Sequence, residues 1–142
     1  MRAVRYHEFG GPEVLQYEDV PVPTPSAGQA RVRVAASAFN AADNGMRSGF
    51  LPIPVGLPHV PGYDISGTVD ALGEGADESG LHVGDAVIGF LPMEQDGGAA
   101  EYVVAPVDAL TTGVPGRSSD AVSSGCRLVD TASRRDVGTT VV

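Results

Sequence analysis

The chain has 142 residues, a length that suits one domain able to bury a core without disulfide help. Its net charge of −9 argues against nucleic acid and against an anionic membrane surface, since both reward basic faces. An apolar content of 42% argues against disorder, and Cys126, the single cysteine, excludes an internal disulfide and a Cys-rich zinc site.

Ala3–His7 and Val14–Asp19 read as two short strands joined by the turn Gly10-Gly11-Pro12. Pro21, Pro23 and Pro25 then hold an extended connector, because proline fixes φ and cannot donate to a ladder. Ala30–Ala36 alternates, with Val32 and Val34 facing one way and Arg31 and Arg33 the other. Asn40–Ser48 has helical character: Asn40 can cap it, Asp43 and Arg47 stand at i, i+4, and Gly49 can end it. Asp64–Leu72, Ala86–Phe90 and Ala99–Val104 are further strands, punctuated by Gly73, Gly75, Gly80 and the pair Gly97-Gly98. Gly113–Gly125 is Ser/Gly-rich and reads as a linker, after which Arg127–Val142 regains apolar character and ends on the β-prone Thr139–Val142. There is no internal repeat. Short strands with Gly and Pro punctuation and little helix predict a mainly β fold with short helices, built as a small barrel. With no apolar leader region and no stretch apolar enough to span a bilayer, a cytoplasmic protein is expected.

Three runs carry more specific information: Met1-Arg2-Ala3-Val4-Arg5-Tyr6 with Phe9-Gly10-Gly11-Pro12-Glu13-Val14-Leu15, then Pro61-Gly62-Tyr63-Asp64-Ile65-Ser66-Gly67, then Val83-Gly84-Asp85-Ala86-Val87-Ile88-Gly89. Together they resemble the medium-chain dehydrogenase/reductases of the quinone oxidoreductase type. The resemblance runs from Met1 to about Val122 and implies a GroES-like, partly open β-barrel over residues 1–122. In that family a Rossmann nucleotide-binding domain follows. Here no strand–Gly-rich turn–helix unit follows, and Gly73-Glu74-Gly75 lacks the third glycine that lets a backbone approach a pyrophosphate. No Rossmann domain and no bound nucleotide are therefore expected. Residues 123–142 read as a linker and closing strand of the same domain, as if barrel and final strand were rejoined across Ser123-Ser124-Gly125. A truncated product with an unrelated tail is the other reading.

The resemblance also locates a substrate cleft. Zinc-dependent relatives place a cysteine where Asn40 stands and a histidine where Tyr63 stands, and an amide and a phenol are poor zinc ligands. No metal is expected. The residues that the resemblance brings to the cleft are Asn40, Asp43, Arg47, Tyr63 and Asp64. Asn40 and Tyr63 can donate to a carbonyl oxygen, and Asp43 is the candidate base if burial raises its pKa. Each also has a structural use: Asn40 as helix cap, Asp43–Arg47 as an ion pair, Asp64 as a loop anchor. Phe50, Leu51 and Met93 fall in loop-like stretches and can line a pocket, whereas Phe90 is expected in the core. His59 precedes the cleft motif and is a further candidate contact, although a turn histidine is more often solvated.

Three functions remain open at this level. A cofactor-independent enzyme could isomerise, eliminate or cyclise a conjugated carbonyl compound by positioning and acid–base groups alone. Residual NADPH-dependent redox chemistry would need a separate nucleotide-binding subunit. A non-catalytic small-molecule module would use the cleft for binding only. A homodimer is expected, covering apolar surface near Phe50, Leu51 and Met93.

Overall fold

Strand formation follows the alternation of apolar residues, and the longest strand organises the rest. In the computed structural model, which describes residues 1–112 and 128–130, Gln29–Ala38 forms β3, extending the predicted strand at both ends. Ala30, Val32 and Val34 point into the core while Arg33 faces solvent, as a period of two requires. β1 (Arg2–Tyr6) and β2 (Leu15–Asp19) form a separate antiparallel hairpin across the glycine-rich turn. β4 (Asp64–Leu72) and β5 (Ala86–Phe90) occupy the predicted ranges. β6 (Tyr102–Pro106), β7 (Leu110–Thr112) and β8 (Leu128–Asp130) complete the set. The single α-helix among the described residues, α1, spans Ala41–Arg47.

The main sheet runs β6-β3-β4-β5-β7, all neighbours antiparallel. β6 pairs with Gln29–Arg33 of β3, and β8 pairs with Ala36–Ala38 further along the same strand. Register shifts between Arg31 and Val32 and between Val34 and Ala36 mark irregularities where β3 meets β4. Among the described residues the two sheets are not closed on each other, so the fold is mainly β and open rather than a complete barrel. No helix among the described residues is long and apolar enough to cross a membrane. The predicted linker Gly113–Gly125 and strand Thr139–Val142 lie outside the described residues.

The core collects inward residues from β3, β4, β5, β6 and β7. Val32, Ile65, Val69, Val87 and Val103 pack with Met46, Tyr63, Leu81 and Leu91. Each such aliphatic side chain contributes about 1.5–3 kcal/mol on full burial. Ala3, Val60 and Ala100 make a second, smaller cluster under the hairpin. There β1 is tied to the main body by Val4 N–H to the Ala99 carbonyl (2.8 Å) and by reciprocal bonds between Tyr6 and His59 (3.0 and 2.9 Å). Phe90 is 53% exposed, contrary to the core position expected from sequence. Val87 takes the inward position of β5, which puts Ile88 and Phe90 on the outer face.

Candidate functional site

At one end of the sheet β3 finishes at Ala38, opposite Asp64, and Asp64 in turn lies opposite Phe90. The chain leaves β3 through Phe39 and enters α1 at Asn40. Asn40 has extended backbone and caps the helix: its Oδ1 accepts from the N–H groups of Ala42 (2.8 Å) and Asp43 (3.4 Å). Asp43 answers by accepting the Asn40 N–H at Oδ2 (2.8 Å), which completes a capping box. The other Asp43 oxygen accepts from Gly62 N–H at 2.7 Å, so one carboxylate joins the helix to the turn before β4. Gly62 has φ +95°, and a Cβ there would lie 2.4 Å from Ser37 Oγ; only glycine fits this crossing. Finally, Asn40 Nδ2 donates to Asp64 Oδ2 at 3.0 Å.

These bonds separate the candidate residues into two groups. Asn40 and Asp64 are half-buried, with one amide hydrogen and one carboxylate oxygen to spare among the described residues. Asp43 is 1% exposed and both of its oxygens are occupied by backbone donors. Burial raises its pKa and Asp64 adds to the rise, against the N–H groups of Asn40 and Gly62, which lower it.

Tyr63 is wholly buried. Its hydroxyl meets His59 Nε2 at 2.6 Å, and His59 Nδ1 lies 3.4 Å from Asp96 Oδ1. A neutral imidazole with its proton on Nδ1 satisfies both contacts. Burial keeps His59 neutral by lowering its pKa, with Asp96 and Asp43 opposing. Burial likewise raises the Tyr63 phenol well above its ordinary range, helped by Tyr6, Asp43 and Asp96. The Tyr6 ring packs edge-on against His59, and its hydroxyl is the one buried side-chain polar atom among the described residues without a hydrogen-bond partner. His59 is therefore an interior residue at 2% exposure, not a solvated turn histidine. Pairing of its backbone with Tyr6 draws it inside.

The remaining candidates scatter. Arg47 is buried and does not form the expected ion pair with Asp43; its guanidinium donates to the Gly10 carbonyl and to Asn44 Oδ1. It clasps the hairpin turn, as the bond from Gly10 N–H to the Arg47 carbonyl (2.9 Å) also does. Leu51 and Met93 lie half-buried against the core, whereas Phe50 is 86% exposed just after the helix. Sequence reasoning missed Phe39, which is exposed beside Asn40, and Asp96. Phe39 could have been found as an aromatic residue immediately before a helix cap; nothing in the Gly-rich stretch around Asp96 marks it.

The sequence profile of the alcohol dehydrogenase GroES-like domain matches residues 26–115. The chain belongs to this family. It is a quinone-oxidoreductase-like catalytic domain: it is 42% identical over 106 residues to the quinone oxidoreductase of Lama guanicoe, covering 74% of this chain and 31% of that protein. The chloroplastic quinone-oxidoreductase QR1 of Triphysaria versicolor is 37% identical over 130 residues, or 88% of this chain and 38% of the relative. Among solved structures, the quinone oxidoreductase of Coxiella burnetii superposes with a TM-score of 0.76 at 30% identity, covering 83% of this chain and 38% of that one. The GroES-like chain thus spans about a third of the length of the relatives it matches.

The donor set does not suit the zinc of the family's metal-dependent members. The Asn40 oxygen already accepts two backbone N–H groups, and the Tyr63 oxygen is turned inward to His59. No cluster of three or more His, Cys, Asp or Glu side chains is placed to hold a metal among the described residues.

Proposed function

We propose that this domain binds a conjugated carbonyl compound at the Asn40–Asp64 end of the sheet and moves a proton on it without a nucleotide. The observation that carries this reading is the half-exposed pair, Asn40 Nδ2 and Asp64 Oδ2, 3.0 Å apart. Such a pair offers one donor for a carbonyl oxygen and one base for an acidic C–H. Asp64 can take the proton from the γ-carbon of an enone while the free Asn40 amide hydrogen holds the dienolate oxygen. Return of that proton to the α-carbon gives the β,γ-isomer, with no net change of oxidation level. Asp43 and Tyr63, proposed for base and donor on sequence grounds, support the pair from inside: Asp43 fixes the Asn40 backbone and Tyr63 precedes Asp64. The exposed rings of Phe39 and Phe90 adjoin Asn40 and Asp64 and supply apolar surface for the carbon frame.

The experiment is deuterium incorporation into 2-cyclohexenone in heavy water, followed by proton NMR with no nucleotide present. A general base contributes about 10²–10⁴-fold, so Asp64→Asn should reduce incorporation by at least about a hundredfold. Asn40→Ser, which keeps a cap but cannot span to Asp64, should also slow it. Saturable binding without exchange would replace this reading with a binding module. Turnover that appears only with NADPH and a nucleotide-binding subunit would replace it with redox chemistry, a reading favoured by the relatives' name. The exposed Phe50 ring, with Leu51 half-buried beside it, supports a homodimer as the assembled form.

A further inference from the structure

A cavity lies away from Asn40 and Asp64, between the hairpin, the proline connector and β6. Its volume is about 370 Å³, within the lower range of small-ligand sites, and none of the candidates named from the sequence lines it. Val20, Pro21, Val60, Ala100 and Val103 give it apolar walls. Two cations stand at its rim: Glu18 neutralises Arg5, whereas the Met1 amine keeps its charge. The Met1 amine donates to the Val20 carbonyl at 2.7 Å, and Arg5 is paired with Glu18. Asp96 is different. Its side chain is 61% exposed, Oδ1 accepts the Val60 N–H at 2.9 Å, and Oδ2 makes no hydrogen bond among the described residues.

The cavity therefore combines an apolar body with one carboxylate oxygen open to a donor. The chain's charge of −9 adds to this, drawing cations toward the protein and repelling carboxylates. We propose that this cavity is a binding site for small apolar molecules bearing a primary ammonium group, with the ammonium on Asp96 Oδ2. The contact reaches further than the wall, because Asp96 Oδ1 is 3.4 Å from His59 Nδ1 and His59 holds the Tyr63 hydroxyl. The groups facing His59 are Asp96, the Asp43 carboxylate from α1, the Tyr63 hydroxyl and the Tyr6 ring of β1. Of these Asp96 is the one a cation would neutralise, so occupancy should move His59 ionisation to lower pH. This site is independent of the enone reading and stands or falls apart from it.

The test uses hexylammonium, hexanol and hexanoate as probes on the full chain, read by calorimetry and by NMR of the Val60, Ala100 and Val103 amides and the His59 ring. Hexylammonium should bind most tightly and hexanoate least, with shifts at those amides and a lowered His59 titration midpoint. A hydrogen bond to a charged group is worth about 1.5–3 kcal/mol, so Asp96→Asn should weaken hexylammonium roughly 10–100-fold and leave hexanol unchanged. Asparagine keeps an acceptor for the Val60 N–H, and the comparison of three probes on the unsubstituted protein needs no variant at all. Equal affinity for hexylammonium and hexanol, or shifts confined to other amides, would overturn the proposal. An unmoved His59 titration with bound ligand would overturn the coupling.

Discussion

Replacing Asp43 should unfold the region around α1 before it touches any chemistry. Asp43→Ala strips the acceptor from two backbone donors, Gly62 N–H and Asn40 N–H. The Gly62 donor is buried, and leaving it unpaired costs about 1–3 kcal/mol. The Asn40 end is half-buried and water can replace part of the bond, so loss of that half of the capping box adds about 0.5–2 kcal/mol. The sum, about 2–5 kcal/mol, is a large part of the roughly 5–15 kcal/mol that holds a domain together. Asp43→Asn keeps the shape and one acceptor but turns an NH₂ toward the second donor, so about 1–3 kcal/mol is expected. Urea denaturation at pH 7 gives both numbers, and at about 4 °C per kcal/mol the alanine variant should melt roughly 8–20 °C lower. A loss below about 0.5 kcal/mol for both variants would refute the claim that this carboxylate ties the helix to the Gly62 turn.

Three further outcomes are expected. His59 has its folded pKa lowered by burial, so the unfolded chain binds the extra proton; stability should fall as pH drops below about 6.5, and His59→Gln should flatten that fall in urea titrations. Asp43 has its folded pKa raised, so its contribution has the opposite sign: stability should decline as pH rises from about 3.9 toward the folded value, and Asp43→Asn should remove the decline. Phe50→Glu, just after α1, should leave melting nearly unchanged and, in light scattering at high concentration, turn a dimer into a monomer; an unchanged molar mass would move the interface elsewhere.

What could be read from the sequence was whatever local pattern dictates. The spans of β4 and β5 and the inward pair Val32 and Val34 follow from alternation, and the Asn40 cap from residue type. The Phe90 expectation failed although the alternation was visible: with Val87 inward, Ile88 faces out, and one period further on Phe90 shares its outer face. Phase decides the face, not the size and hydrophobicity of the side chain. β6 begins three residues later than expected because the preceding stretch turns to β1, bridging Ala100 to Ala3. β7 is too brief to leave a pattern. His59 and Asp96 were out of reach for another reason. Their environment is made by backbone pairing of His59 with Tyr6, 53 positions away in the sequence, and by a loop returning from residue 96 to Val60.

The capping box constrains how the chemistry can be tested. Asp43 holds the Asn40 N–H with one oxygen and the Gly62 N–H with the other, so it fixes both the start of α1 and the turn that delivers Tyr63 and Asp64. Any substitution there displaces the proposed donor and the proposed base together, and lost turnover would say nothing about proton transfer. Asp64 is free of that burden: its bond to Asn40 Nδ2 is half-exposed, and asparagine can still accept it through an amide oxygen. Asp64→Asn should therefore melt within about 0.5 kcal/mol of the parent, as surface substitutions do, while losing deuterium exchange by at least about a hundredfold. Equal exchange in a normally folded Asp64→Asn protein would take the base away from this end of the sheet.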